Sequence, residues 1–126
     1  MRAIDTNVLV RLITSDDSHQ AGLAEQFAAP GAWVPILAIV EAVWVLASAY
    51  GRSRQELAQY IEGLLNHVTL IVQDAEHVAA ALDLFRQHPR VSFSDCLLLD
   101  QARRGGHLPL GTYDRRLATL PGTALL

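Results

Sequence analysis

Apolar and polar positions along the chain predict short strands separated by helices. Short apolar runs that end at a polar turn are typical of buried strands, whereas apolar residues spaced by three or four positions predict helices. The predicted strands are 2–4, 32–34, 68–72, 108–111 and 123–125. The predicted helices are 8–13, 19–29, 35–51, a segment after residue 53, 75–88 and 95–104.

The ends of these helices follow from residues with known capping preferences. A polar turn at 15–18, together with Ser53, Asp74 and Ser94, provides side-chain oxygens for helix N-termini, and Pro35 suits a first helical position. Strands that alternate with helices indicate an α/β fold with a mostly parallel sheet. Because no repeat, low-complexity segment or long linker interrupts residues 1–126, we expect one domain.

Acidic residues follow two of the predicted strands. In parallel sheets, binding sites form beyond the carboxyl ends of the strands, which is where Asp5 and Asp114 are predicted to lie. Each also has a structural interpretation, since Asp5 could cap a helix and Asp114 could stabilise a turn. Asp95, at a predicted helix start, is equally open to both interpretations.

Glu41 is the most conspicuous acidic residue. It is the only side chain between Gly31 and Gly51 that is charged at neutral pH, within a helix that is apolar on nearly every side. We therefore expect a buried carboxylate that needs an arginine, a metal ion or a cavity. No basic residue lies within four positions, which favours a functional site over a local ion pair. Asp100 differs, because Arg104 lies four positions on; we expect an exposed, paired residue outside the site.

Composition narrows the chemistry further. The net charge is −3, and all ten basic residues are arginines. The absence of lysine excludes Schiff-base chemistry and lysine-dependent phosphate loops. The five histidines show no paired spacing and Cys96, which we expect to be a buried thiol, is the only cysteine, so a zinc site is not expected. Carboxylate oxygens instead favour Mg²⁺ or Mn²⁺.

The apolar stretch at 32–50 is long enough for a membrane span, but it contains Pro35 near its start and Glu41 at its centre. A charge in mid-membrane is costly, so we expect a buried helix partly covered by a second subunit. We also expect no secretion signal and a cytoplasmic location.

In four segments the chain resembles the PIN-domain nucleases and, among them, toxins of the VapC type. The matching segments are IDTNVL at 4–9, VEAVWVL at 40–46, Ser94-Asp95 with the apolar helix that follows, and TYD at 112–114. Their order and spacing agree with the family over essentially the whole chain. The resemblance implies a single PIN domain, a three-layer α/β/α sandwich around a mostly parallel sheet of four to five strands.

The same resemblance implies an endoribonuclease that depends on Mg²⁺ or Mn²⁺. Asp5 and Asp95 would be the principal metal ligands, and Glu41 and Asp114 would complete the acidic pocket directly or through water. The residues themselves suggest supporting roles: Asn7 would offer an amide oxygen or a donor near Asp5, and Thr112 would hold a water or a neighbouring carboxylate. Arg11, Arg115 and Arg116 are candidates to hold flanking RNA phosphates.

The resemblance also implies partners: a homodimer, neutralised by a small DNA-binding antitoxin whose tail brings an arginine to the acidic pocket, with a higher assembly of the two. One departure is that Arg115 and Arg116 stand where some relatives carry a further acid. Two alternatives are a catalytically inert PIN-like binding module and another metal-dependent phosphohydrolase. A phosphatase with an aspartate nucleophile would need a second aspartate two residues after Asp5, where this chain has Asn7.

Overall fold

The computed structural model describes residues 1–126 and contains five strands and six α-helices. The strands are Arg2–Ala3 (β1), Ala32–Val34 (β2), Leu70–Val72 (β3), Leu110–Thr112 (β4) and Thr123–Leu125 (β5). The helices are Thr6–Thr14 (α1), Ser18–Ala28 (α2), Ile36–Ser48 (α3), Arg54–Leu65 (α4), Ala75–Gln87 (α5) and Phe93–Arg104 (α6). Every strand pair is parallel. The predicted α/β class with parallel strands is therefore confirmed.

The chain divides into two compact units, Met1–Ala75 and Glu76–Leu126. The first contains a three-stranded sheet in the order β1-β2-β3, and the second contains a two-stranded sheet of β4 and β5. The five strands thus form two sheets, where the resemblance implied one sheet of four to five strands. These strands are only two or three residues long, and all three residues of β4 pair with residues of β5.

The core of the first unit lies beneath one side of its sheet. Alternation along β2 and β3 buries Ala32, Val34, Leu70 and Val72, whereas Trp33, between the two β2 residues, is partly exposed. Helix α1 packs against α2 and α3, and α4 packs against α3 and β3. The largest fully buried side chains contributed by these helices are Leu9, Ile39, Leu46 and Ile61.

Local capping residues start three of the helices in this unit. Asp5 accepts a hydrogen bond from the backbone N of Val8 at 3.0 Å, and Asp17 accepts from Gln20 at 3.0 Å. Ser53 and Glu56 form a reciprocal capping box at the start of α4. The predicted cap at Ser53 is confirmed.

Helix α3 is capped from a distant part of the chain. Pro35 directly precedes the helix, one position earlier than predicted, and its side chain has no acceptor for an N-terminal amide. The side chain of Gln73, just after β3, fills this role, since its Oε1 accepts from the backbone N of Ile36 at 2.9 Å. This bond connects the start of α3 to the end of β3.

In the second unit, α5 and α6 contact each other through an edge-to-face pair of Phe85 and Phe93, with ring centroids 6.0 Å apart. Helix α6 is capped by Ser92, whose Oγ accepts from the backbone N of Asp95 at 3.2 Å. The predicted cap at Ser94 was wrong by two positions, because Ser92 has the extended backbone of a capping residue. Cys96 is buried, as predicted.

The apolar stretch at 32–50 is divided between β2 and the thirteen-residue helix α3. None of the helices combines the length and the apolar character that a membrane span requires.

We predict that replacing Gln73 with methionine destabilises the fold by about 1 kcal/mol, because the Ile36 amide loses its acceptor at a partly buried helix end. The matched control is Gln73→Glu, which retains an acceptor oxygen of the same reach. Urea denaturation at neutral pH measures the difference. Equal stability of the methionine and glutamate variants would contradict this role of Gln73.

Candidate functional site

The parallel pairing of β1 with β2 determines where the first acidic residue lies. The ladder continues past β1, since the backbone N of Ile4 donates to the carbonyl of Trp33 at 3.1 Å. Both strands therefore end at the same edge of the sheet, and α1 and α3 begin there. Asp5 lies at this edge as the exposed capping residue of α1.

Glu41 is exposed, so the prediction that it is buried was wrong. The physical reason is the helical period: Leu37, Glu41 and Trp44 share one side of α3, and Ala38 and Ala42 belong to the buried side. Leu37 is 65% exposed and Trp44 is 71% exposed. The carboxylate of Glu41 therefore keeps its hydration between two exposed apolar residues and needs no ion pair.

A hydrogen bond joins Glu41 to the residue that follows Asp5. The hydroxyl Oγ1 of Thr6 donates to Oε2 of Glu41 at 2.9 Å. Sequence reasoning missed Thr6 and selected Asn7, which is exposed on the first turn of α1. The available signal was the position of Thr6 at the start of α1, directly after Asp5, but its partner is 35 residues away.

Asp5, Thr6 and Glu41 border one open cavity of about 340 Å³, whose apolar wall includes Leu37 and Ala38. The structure thus brings two of the four predicted acids together. Asp5 uses Oδ1 for the helix cap and Glu41 uses Oε2 for Thr6, which leaves Oδ2 and Oε1 outside these bonds. Two such carboxylate oxygens fit Mg²⁺ or Mn²⁺, which prefer hard oxygen ligands.

Asp95 and Asp114 both belong to the second unit. Asp95 is half-buried in the first turn of α6, and Asp114 is exposed just after β4. Oδ1 of Asp114 accepts from the backbone N of Arg116 at 2.7 Å, which leaves Oδ2 outside that bond. Neither unit by itself contains a group of three or more histidine, cysteine, aspartate or glutamate side chains placed to hold a metal ion.

Thr112 supports Asp114 through the backbone. Its Oγ1 accepts from the backbone N of Asp114 at 2.9 Å. The sequence had suggested that this hydroxyl holds a water or a neighbouring carboxylate. Its observed bond stabilises the turn that presents the Asp114 side chain.

Asp100 is only 4% exposed, so the prediction of an exposed residue was wrong, although its pairing was predicted correctly. Oδ2 of Asp100 accepts from Nε of Arg104 at 2.8 Å. Nη2 of Arg104 also donates to the carbonyl of Glu76 at 3.3 Å, so the arginine extends from α6 to α5 across the carboxylate. Asp100 is committed to this ion pair.

Arg11 belongs to a hydrogen-bonded network that connects the end of α1 to the residues after α1 and α3. Its Nη1 donates to Oδ1 of Asp16 at 3.2 Å and to the hydroxyl oxygen of Tyr50 at 3.1 Å. Tyr50 in turn donates to Oδ2 of Asp16 at 2.8 Å. The charge of Arg11 is thereby balanced by Asp16. Arg115 and Arg116 are exposed.

The comparisons with known proteins identify a family. Residues 3–122 match the family described as PIN domain. Searches of curated proteins and of solved structures found no match. The matched segment covers most of each compact unit and includes all four acidic residues.

The Asp16 network predicts a pH-dependent stability. Hydrogen bonds from Tyr50 and then Thr14 lower the pKa of Asp16, and Arg11 lowers it further. Because the folded-state pKa lies below the unfolded value, the stabilisation is present above about pH 4 and is lost as the pH falls through the lowered pKa. We expect Tyr50→Phe to be less stable than the wild type at pH 7.

This stability gap between wild type and Tyr50→Phe should narrow as Asp16 becomes protonated below about pH 4. Urea denaturation at a series of pH values measures it. The matched control is Tyr113→Phe, since Tyr113 is 82% exposed. A gap that stays constant down to the acid transition would show that the Tyr50 hydroxyl does not act through the Asp16 carboxylate.

Proposed function

Because the chain belongs to the PIN-domain family, we propose that it is an endoribonuclease that depends on Mg²⁺ or Mn²⁺. PIN domains are generally nucleases, typically use divalent metals and are often the toxins of toxin–antitoxin systems. The observation that carries the proposal is the pairing of Asp5 with Glu41 on one open cavity, with Thr6 holding Glu41.

Asp5 and Asp95 are the proposed principal metal ligands, and Glu41 and Asp114 complete the set directly or through water. Three features support this assignment. In the hydrogen bonds given above, Asp5, Glu41 and Asp114 each use one carboxylate oxygen, and the other oxygen lies outside these bonds. The chain has no lysine to replace the metal as a phosphate-binding charge, and its five histidines are spread along the sequence.

A divalent cation bound here would offset the charge of an RNA phosphate and lower the pKa of a bound water. The chain's own residues position the reactants. Glu41, which accepts a hydrogen bond from Thr6, would orient the attacking water and accept its proton. Arg115 and Arg116 are exposed directly after Asp114, which suits contacts with flanking phosphates.

We further propose that the protein is the toxin of a toxin–antitoxin pair and works as a homodimer. The exposed Leu37 and Trp44 support an interface on α3, because large apolar side chains grouped on one helix side mark contact surfaces. The antitoxin tail would bring an arginine to the Asp5–Glu41 cavity. Sedimentation analysis tests the dimer, and coexpression with the small neighbouring gene product tests neutralisation.

We predict that Asp5→Asn and Asp95→Asn each reduce RNA cleavage by at least about a hundredfold, because an amide is a weaker ligand for a hard cation. Asparagine is preferred to alanine since it retains the helix cap that Asp5 forms. Cleavage is measured on single-stranded RNA with Mn²⁺ or Mg²⁺, and EDTA provides the metal-free control.

The matched control is Asp83→Asn, an exposed carboxylate on α5. Full activity of either site variant would exclude the assignment of that residue. If the wild type cleaves no RNA but hydrolyses a small phosphate ester, the protein is another phosphohydrolase. If it binds RNA without cleaving anything, it is a binding module.

Thr6 provides a separate prediction. Thr6→Val keeps the shape of the side chain but removes the donor to Glu41, whereas Thr6→Ser retains the hydroxyl. We expect the valine variant to bind Mn²⁺ about tenfold more weakly, because groups that orient metal ligands contribute on this scale. Calorimetric titration measures binding independently of cleavage. Serine and valine variants with equal Mn²⁺ affinity would show that this bond does not position Glu41.

A further inference from the structure

A second cavity lies beside Asp5, in a groove between α1 and α2. Its volume is about 400 Å³, within the usual range for small-molecule sites. Asp5 and Arg11 both line it, and their six-residue separation along α1 corresponds to about 9 Å of helix rise. Asp5 borders this groove and also the cavity that contains Glu41. A ligand held at Asp5 therefore has direct access to the groove.

The middle of the groove is apolar. Val8 lines one side, and Leu23, Ala24 and Phe27 line the other. The side chain of Leu23 is 53% exposed, although its neighbours in the groove are apolar. The Phe27 ring is held in place by the guanidinium of Arg2, whose Cζ lies 3.8 Å from the ring centroid. These residues form an apolar surface that suits a flat apolar ligand face.

The polar end of the groove favours a neutral ligand that accepts hydrogen bonds. The charge of Arg11 is balanced by Asp16, and Asp17 lies close enough to act on Arg11 as well. A phosphate would be repelled by these two carboxylates. Gln20 uses its Oε1 to accept from Nε of Arg11, so the side-chain group that remains to bind a ligand is its NH₂, which is a hydrogen-bond donor.

From this combination we propose that the groove binds a nucleobase of the RNA substrate, on the nucleotide that adjoins the phosphate which the metal ion at Asp5 would bind. The base lies against Leu23 and Phe27, and the Gln20 amide donates to a carbonyl oxygen or ring nitrogen on its edge. Gln20 is therefore a determinant of base preference at one position next to the cut. This inference rests on the proposed nuclease function.

The test variant is Gln20→Glu. It retains an oxygen for Arg11, removes the amide donor and adds one negative charge. Gln20 is the third residue of α2, where glutamate is favourable, so the variant is expected to fold. The matched control is Gln26→Glu, which adds the same charge to an exposed position of α2 that does not line the groove.

In the first measurement, each protein is titrated in the absence of metal with the four nucleosides and with ribose. The chemical shifts of its backbone amides are monitored by NMR. Nucleosides should shift the signals of groove residues, and ribose should not. Gln20→Glu should weaken the affinity for the preferred nucleoside about fivefold, and Gln26→Glu should leave it unchanged. The proposal is overturned if nucleosides do not shift the amide signals of groove residues, or if ribose shifts them equally. It is also overturned if only a protein partner shifts these signals.

The second measurement is sequencing of RNA ends after Mn²⁺-dependent cleavage of a random RNA pool. The wild type and Gln26→Glu should share a base preference at one position next to the cut, and Gln20→Glu should reduce that preference about fivefold or more. Cleavage with an unchanged preference in Gln20→Glu overturns the groove assignment but leaves the nuclease function standing. Nucleoside binding without any RNA cleavage refutes the nuclease function and not the base site.

Discussion

The parallel pairing of β1 with β2 is the constraint on which the first half of the site depends. Parallel neighbours end at the same edge of a sheet, so the helices that follow them start side by side. Asp5 is consequently beside α3, and Glu41, in the second turn of that helix, comes within reach of Thr6. A short ladder thus positions two carboxylates that are far apart in sequence.

The acids of the proposed site also serve the fold. Asp5 caps α1 and Asp114 accepts backbone amides of the next turn, so one oxygen of each has a structural role. The functional and structural interpretations of these residues are therefore compatible. Glu41 stabilises no helix end, and its single bond to Thr6 is the contact that orients it. Backbone bonds fix the positions of Asp5 and Asp114, whereas a side chain fixes that of Glu41.

Much of the fold could be predicted, because strands and helices follow from local periodicity and from caps such as Ser53. The errors have physical causes. Glu41 was expected to be buried because α3 is apolar on nearly every side, yet one side of the helix lacks a covering element within the described chain. Asp100 was expected to be exposed because its i+4 arginine suggested a solvated pair, but Arg104 also reaches the backbone of α5 and covers it.

By itself, the sequence determined the order of the elements, the parallel α/β class and a chemistry based on carboxylates, since these follow from local pattern and from residue types that are present or missing. Tertiary structure alone decided which residues meet. Thr6 with Glu41, Gln73 with Ile36 and Arg11 with Tyr50 are separated by 35, 37 and 39 positions. No local period encodes such contacts, because they arise only when strand pairing and helix packing bring distant segments together.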